Sequence, residues 1–78
     1  MTLIEAATEA NRRGLIPYYG FREGEQNIVY ELGFLEPGET CNVGLRIDHP
    51  EHGVMRWVSM GRGSSWDAAF KDVDSRIN

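Results

Sequence analysis

Apolar and polar residues alternate along the chain with periods that predict two helices and a small sheet. The clearest pattern lies near the end, where segment 54–60 predicts a strand and segment 61–65 a glycine- and serine-rich turn. The residues that follow place one apolar side at helical spacing: Trp66, Ala69, Phe70, Val73 and Ile77. We therefore expect a strand, a turn and an amphipathic helix that is capped by Ser64 or Ser65.

A second helix is predicted near the beginning of the chain, from about Leu3 to Arg13. Thr2 and Glu5 have the spacing of a capping box, and Gly14 with Pro17 would end the helix. Its predicted apolar stripe consists of Leu3, Ala6, Ala7 and Ala10. Three of these four residues are alanines with short side chains. The alanines predict close packing against the layer beneath.

The middle of the chain predicts short strands at segments 18–23, 27–35 and 41–48. In the second of these, Leu32 points to one face with the even-numbered residues, and Glu31 points to the other with the odd-numbered ones. In the third, alternate residues are expected to face the core: Cys41, Val43, Leu45 and Ile47.

The third strand and segment 54–60 are predicted to pair as a hairpin in which Asp48 lies opposite Val54. A shift by one residue would bury Arg56 without a partner, which is costly. In the preferred register Trp57 and Met55 face the core. The outer face then receives an unusual number of apolar residues: Val29, Leu35, Val54, Val58 and Met60.

The same register places Arg46 directly opposite Arg56 on the outer face. Like charges in this position destabilise a sheet by a few tenths of a kcal/mol to about 1 kcal/mol. Two explanations are open. Glu31 on the neighbouring strand lies between the two arginines as a salt bridge, or the arginines meet an acidic or phosphate group of a partner.

These elements predict an α+β fold of two layers, in the order helix, three or four antiparallel strands, helix, with both helices on one face of the sheet. A chain of 78 residues is expected to form one domain over residues 1–78. A core of this size leaves little room for a deep pocket.

Acidic residues are concentrated in the middle of the chain. The formal net charge is -4, and segment 23–51 contains many acids against one base, Arg46. These acids are Glu23, Glu25, Glu31, Glu36, Glu39, Asp48 and Glu51. One interpretation is a solvated set of loops and strand edges, and the other is a surface that binds a basic partner.

No motif in the sequence predicts catalysis, so we expect a protein that is not an enzyme and uses no cofactor. His49 and His52, with Asp48, Glu51 and Cys41, could hold a metal, but without a second spaced pair of ligands a turn explains them better. A single cysteine forms no intramolecular disulfide, which favours an intracellular, reducing compartment. The apolar runs are too short to cross a membrane.

Two further groups of residues have a functional and a structural interpretation. Arg62 and the glycine turn could bind phosphate at the start of the last helix, but helix capping explains the same residues. Tyr18, Tyr19 and Phe21 with Arg22 could stack on bases, but packing in the core is the preferred interpretation.

Segment 61–69, a glycine-rich turn that leads into an alanine-containing helix, closes an order of elements that resembles the double-stranded-RNA-binding domain. The resemblance implies a small nucleic-acid-binding module of the α-β-β-β-α type, in which the start of the last helix meets phosphate. That family has lysines at the start of this helix, where the present chain has Ser65, Trp66 and Asp67.

In its length, acidity and small α+β form, the chain also resembles the phage-encoded inhibitors called anti-CRISPR proteins. This resemblance implies an inhibitor that acts in the cytoplasm of a bacterial host cell, binds a CRISPR effector complex and obstructs nucleic-acid recognition. The acidic segment would meet the basic surface of that complex, and the apolar outer face would allow a homodimer. The candidate partner-binding residues are Glu31, Glu36, Glu39, Arg46, Arg56, Arg62, Val58 and Met60.

Overall fold

The computed structural model describes residues 1–38, 46–49, 51 and 53–77. Two helices flank four strands in chain order: α1 Leu3–Arg12, β1 Ile16–Gly20, β2 Val29–Pro37, β3 Arg46–His49, β4 Gly53–Gly63 and α2 Trp66–Ile77. The strands form one antiparallel sheet in the order β1-β2-β4-β3. Residues from both helices share one buried cluster with Leu32 of β2. The predicted α+β fold, with both helices on one face of the sheet, is therefore confirmed.

Helix α1 begins with the predicted capping box. The Glu5 N–H donates to Thr2 Oγ1 at 3.1 Å, and the Thr2 N–H donates to Glu5 Oε1 at 2.8 Å. The bonds from Thr2 hold the pKa of Glu5 below its ordinary value. Only Ala6 and Ala10 are buried, so the predicted stripe was too wide. Leu3 and Ala7 are exposed. Ala6 and Ala10, which are four residues apart, lie one above the other on the helix, so only this narrow strip of α1 contacts the core.

Helix α2 begins as predicted, at Trp66 after a serine cap. The Ala68 N–H donates to Ser65 Oγ at 3.1 Å, and the Ala69 N–H donates to the Ser65 carbonyl. The helix buries Trp66, Ala69, Phe70 and Val73, as the spacing predicted. The side chain of Ile77, also predicted to be buried, lies outside the described part of the structure.

The two helices run parallel, side by side. At one end the ammonium group of Met1 lies 3.5 Å from Asp67 Oδ2, and at the other Arg13 Nη1 lies 2.6 Å from Asp74 Oδ1. The Arg13 guanidinium also lies 5.0 Å from the centre of the Phe70 ring. Both helix N-termini therefore lie at the same end of the molecule.

Strand β4 is longer than predicted, because segment 61–63 continues the strand instead of forming a turn. The glycines there are needed for the close approach of α2. A Cβ atom on Gly61 would lie 2.4 Å from Val73 Cγ2, and one on Gly63 would lie 2.6 Å from Ala68 Cβ. Strands β1 and β2 are shifted by about two residues relative to their predictions, to Ile16–Gly20 and Val29–Pro37.

The hairpin register is confirmed: Asp48 lies opposite Val54, and Arg46 lies opposite Arg56. Of the predicted third strand, residues 41–45 lie outside the described part of the chain.

A β-bulge in β4 changes which residues face the helices. Leu32 pairs with Gly61 but Gly33 pairs with Ser59, so Met60 is an extra residue on β4. In the part of β4 that precedes Met60, each side chain therefore points to the face of the sheet opposite to the predicted one. Trp57 shares a face with Gly33, because a Cβ on Gly33 would lie 2.7 Å from the Trp57 ring.

The prediction that Trp57 and Met55 face the core beneath the helices was therefore wrong. Both lie on the far face, which is the face of the sheet opposite the helices, with Glu31, Gly33 and Leu35 of β2. Of the residues predicted to face outward, Val29 and Leu35 of β2 do lie on the far face, but those of β4 were misplaced for the same reason. Val54 and Val58 lie on the helix side of the sheet, and Met60 packs against the core.

Candidate interaction surfaces

Glu31, a predicted partner-binding acid, lies at the centre of the far face and is only 4% exposed. Its Oε1 accepts hydrogen bonds from Arg22 Nη2, at 2.7 Å, and from Trp57 Nε1. The Arg22 guanidinium in turn lies 4.1 Å from the centre of the Tyr18 ring. The charge of Glu31 is thus satisfied inside the chain, as a buried charge requires, and little of the carboxylate is open to a partner.

Arg56 forms an ion pair with Glu36, its cross-strand neighbour on β2. Arg56 therefore lies on the helix side of the sheet and not on the outer face, as had been predicted. The explanation in which Glu31 offsets the two arginines was wrong, because Glu31 lies on the far face. Glu36 offsets Arg56 instead. The side chain of Arg46 and the whole of Glu39 lie outside the described part of the structure.

Arg62 lies on β4 and forms an ion pair with Glu25. Its backbone N–H donates to Asp72 Oδ2 at 3.0 Å. This bond, together with one from Arg76, holds the pKa of Asp72 below its ordinary value. The residue that could have bound phosphate at the start of α2 thus has its charge offset by a carboxylate of the same chain.

The two apolar candidates, Val58 and Met60, are both partly buried. Val58 pairs with Phe34 in the sheet, and Met60 contacts the core cluster. Both therefore help to hold the sheet and helices together.

Internal ion pairs offset the positive charge of the chain almost throughout the described residues. Six arginines lie within 4 Å of a carboxylate: Arg12, Arg13, Arg22, Arg56, Arg62 and Arg76. On α1, hydrogen bonds from Arg12 and Arg13 lower the pKa of Glu9 to about 2. These arginines are therefore poor donors for an external phosphate unless an internal bond breaks.

An exposed group of aromatic and aliphatic side chains is the feature that the sequence interpretation missed. We call Tyr19, Phe21, Ile28 and Tyr30 the aromatic corner. Tyr19 is 53% exposed, Phe21 65% and Ile28 40%, so the prediction that Tyr19 and Phe21 pack in the core was wrong. An open groove of about 520 Å³ lies here, with a polar rim of Gln26, Asn27 and Ser64.

Two rings of the aromatic corner, those of Tyr19 and Tyr30, are held by the core. Tyr19 and Tyr30 are stacked, with centres 6.2 Å apart and planes 17° apart. Both make edge contacts with the buried ring of Trp66, at 6.1 and 5.0 Å between centres. The sequence signal for this group was the alternation of Tyr19 and Phe21, which places both on one side of the strand predicted at segment 18–23.

The described residues contain no group of three or more acids, histidines or cysteines arranged to hold a metal ion. Of the predicted metal candidates, Asp48 and Glu51 are exposed, whereas Cys41, His52 and the side chain of His49 lie outside the described part. Within the same part of the chain, no helix is long and apolar enough to cross a membrane.

Comparisons with protein-family models, curated proteins and solved structures find no match to this chain.

Proposed function

We propose that this chain is a non-enzymatic, protein-binding inhibitor that covers the nucleic-acid-binding surface of a bacterial CRISPR-type effector complex. The observation that carries the proposal is the pairing of six arginines with carboxylates of the same chain. Since the formal net charge is -4, the charge left for an external partner is negative. A protein surface that normally holds a nucleic-acid backbone is positive and matches it.

The same observation disfavours the alternative, a nucleic-acid-binding module. Such a module needs lysines or arginines that neutralise phosphates, whereas Arg62, beside the start of α2, is already paired with Glu25. The first turn of α2 contains Asp67, which would repel a phosphate at the position where the double-stranded-RNA-binding domain binds one.

A competition assay tests the proposal. Purified CRISPR effector complexes are mixed with fluorescently labelled target DNA, and displacement of the DNA by the chain is followed by anisotropy at several salt concentrations. We expect displacement that weakens as salt rises, because charge complementarity is screened. The same DNA without the effector complex is the second sample, and binding there would favour the alternative.

Charge-reversal variants show whether the acidic segment matters by position or only by net charge. Glu23→Lys changes an exposed acid in that segment. The double variant Asn11→Lys/Ser75→Lys changes the net charge equally, at exposed helix positions. We expect Glu23→Lys to weaken displacement more than the double variant does. Failure of the wild-type chain to displace DNA from any effector complex would refute the proposed function.

A homodimer remains part of the proposal, because the far face has apolar residues at its surface. Sedimentation velocity at several concentrations measures it directly.

A further inference from the structure

The exposed apolar side chains of the aromatic corner are neighbours and not scattered. Phe21 and Ile28 line the same groove, and the half-exposed Tyr19 stacks on Tyr30, which lines it too. A single exposed apolar residue is ordinary in a soluble protein. A contiguous group with a polar rim is typical of an interaction site.

The rings of Tyr19 and Tyr30 are held in place before any partner arrives. Tyr30 packs against the core, and its contact with Trp66 ties the exposed Tyr19 ring to a side chain that is nearly buried. Rings fixed in this way lose little conformational freedom on binding. Their faces carry partial negative charge, which attracts cations.

The charges around the aromatic corner also favour a cation. Arg22 follows Phe21 directly, but its guanidinium lies on Tyr18 and pairs with Glu31 on the far face. The acids Glu23 and Glu25 lie in the same loop as Phe21, and both are exposed.

Two positive groups near the start of α2 form ion pairs with carboxylates of the same chain. Arg62 is paired with Glu25, and the ammonium group of Met1 lies beside Asp67. The Ser65 cap takes up an N–H of the first turn of the helix. Because Glu25 is used in one of these pairs, Glu23 is the exposed acid of the loop that favours a cation beside the electron-rich rings.

We infer that the aromatic corner is the surface that contacts the partner, and that its occupant is an arginine or lysine side chain of a basic protein surface. The cationic head stacks on the rings of Tyr19 and Phe21, and its aliphatic stem lies on Ile28. The identity of the partner rests on the proposed function, but the affinity of this corner for a cationic side chain does not. The sequence had indicated the arginine pair and the acidic strands as the partner-binding site. The proposed site lies instead on β1 and the loop that follows it.

Substitutions at Phe21 separate the ring from its apolar bulk. Phe21→Leu keeps an apolar side chain but removes the ring, and Phe21→Trp keeps a ring that binds cations better. Phe21 lies in an exposed loop after β1, so these variants should fold, which circular dichroism checks. Ile4→Ala is the matched control, because Ile4 is 78% exposed on the side of α1 away from the buried Ala6 and Ala10.

The first assay is independent of the biological partner. An N-acetylated tetra-arginine amide is titrated into the ¹⁵N-labelled chain, with tetra-glutamate as the control peptide. We expect amide shifts concentrated at residues 19–30 with tetra-arginine and none there with tetra-glutamate. Phe21→Leu should weaken the binding roughly threefold or more, whereas Phe21→Trp and Ile4→Ala should retain it. Shifts spread over all acidic residues, or equal binding by Phe21→Leu, would overturn the inference.

The second assay repeats the DNA displacement with Phe21→Leu and Ile4→Ala. Loss of at least about tenfold in potency by Phe21→Leu alone is expected of a central interface residue. If the wild type and Phe21→Leu displace DNA equally, the proposed function stands and the aromatic corner is not its surface. If neither displaces DNA while tetra-arginine still binds at residues 19–30, the cation site stands and the proposed function fails.

Discussion

The buried carboxylate of Glu31 offers a direct test of how the far face is held together. Glu31→Gln preserves the size of the side chain and an acceptor for Trp57 Nε1, but it removes the charge that faces Arg22. The Arg22 side chain is 22% exposed, so water can only partly replace the lost partner. The substitution therefore isolates the ionic part of the contact.

The expected cost follows from the degree of burial. Removing one partner of a fully buried ion pair costs about 3–5 kcal/mol, and a hydrogen bond to a charged group contributes about 1.5–3 kcal/mol. Partial exposure of Arg22 and the acceptor retained by glutamine place the expected loss near the lower figures, at about 2 kcal/mol. A domain of this size has a free energy of unfolding of roughly 5–15 kcal/mol. The melting temperature should then fall by roughly 8–16 °C.

Urea and thermal denaturation, followed by circular dichroism and tryptophan fluorescence, measure this loss. Glu36→Gln is the control, because Glu36 and Arg56 form an ion pair in which both side chains are 36% exposed. Exposed pairs of this kind contribute about 0–1 kcal/mol. A loss for Glu31→Gln no larger than that for Glu36→Gln would refute the reasoning. The double variant Arg22→Met/Glu31→Gln should recover part of the loss, since no unpaired charge is then left.

Two further predictions concern the helices. Gly61→Ala should destabilise the chain by about 1–3 kcal/mol, because its Cβ would lie 2.4 Å from Val73 Cγ2; thermal denaturation measures this, and Gly38→Ala, which meets no atom within 4 Å, should have little effect. The pKa of Glu9 is lowered from its ordinary 4.5 to about 2 by the two arginines that follow it on α1, so its stabilising contribution is complete above about pH 4.5 and is lost as the pH falls towards 2. Melting temperatures of the wild type and Glu9→Gln should therefore converge over that range, and a constant difference would contradict the assigned contact.

The sequence was sufficient for the elements whose signals are local. The capping box at Thr2 and the apolar spacing after Trp66 predicted the starts of both helices, because capping and amphipathic burial act within a few residues. The register of Asp48 opposite Val54 was also correct, but the reason for choosing it was not, because Arg56 lies on the helix side of the sheet, where it pairs with Glu36.

The orientation of β4 could not be predicted in the same way. It depends on an extra residue at Met60, and no residue type marks a bulge of this kind in an unaligned sequence. The two glycines at 61 and 63 indicated a turn, but they serve the close packing of α2 in three dimensions. Trp57 was assigned to the core because the preferred hairpin register turned Arg56 away from it. In the folded sheet, however, the indole N–H of Trp57 donates to Glu31, which is 26 residues away in sequence.

The candidate site depended still more on tertiary structure. Opposite charges at Glu36 and Arg56 are 20 residues apart in sequence, and their pairing follows from the β2–β4 register. The exposure of Tyr19 and Phe21 follows from their place on and after an edge strand, with no neighbouring strand beyond them among the described elements. Aromatic composition alone favoured the core, and it gave no information about which edge of the sheet would be left uncovered.

The extra residue at Met60 also limits how the length of this chain can vary. Substitution at this position would alter packing against the core, but removal of one residue would return Trp57 to the helix side and place Val58 on the far face. Such a deletion would turn each side chain of β4 before Met60 to the opposite face of the sheet. Only the insertion of another residue close by on the same strand would restore the original faces. In any relative of this protein, loss of one residue near Met60 should therefore be accompanied by a second change of length in β4. Otherwise, apolar and polar residues should exchange positions in the part of β4 that precedes the bulge.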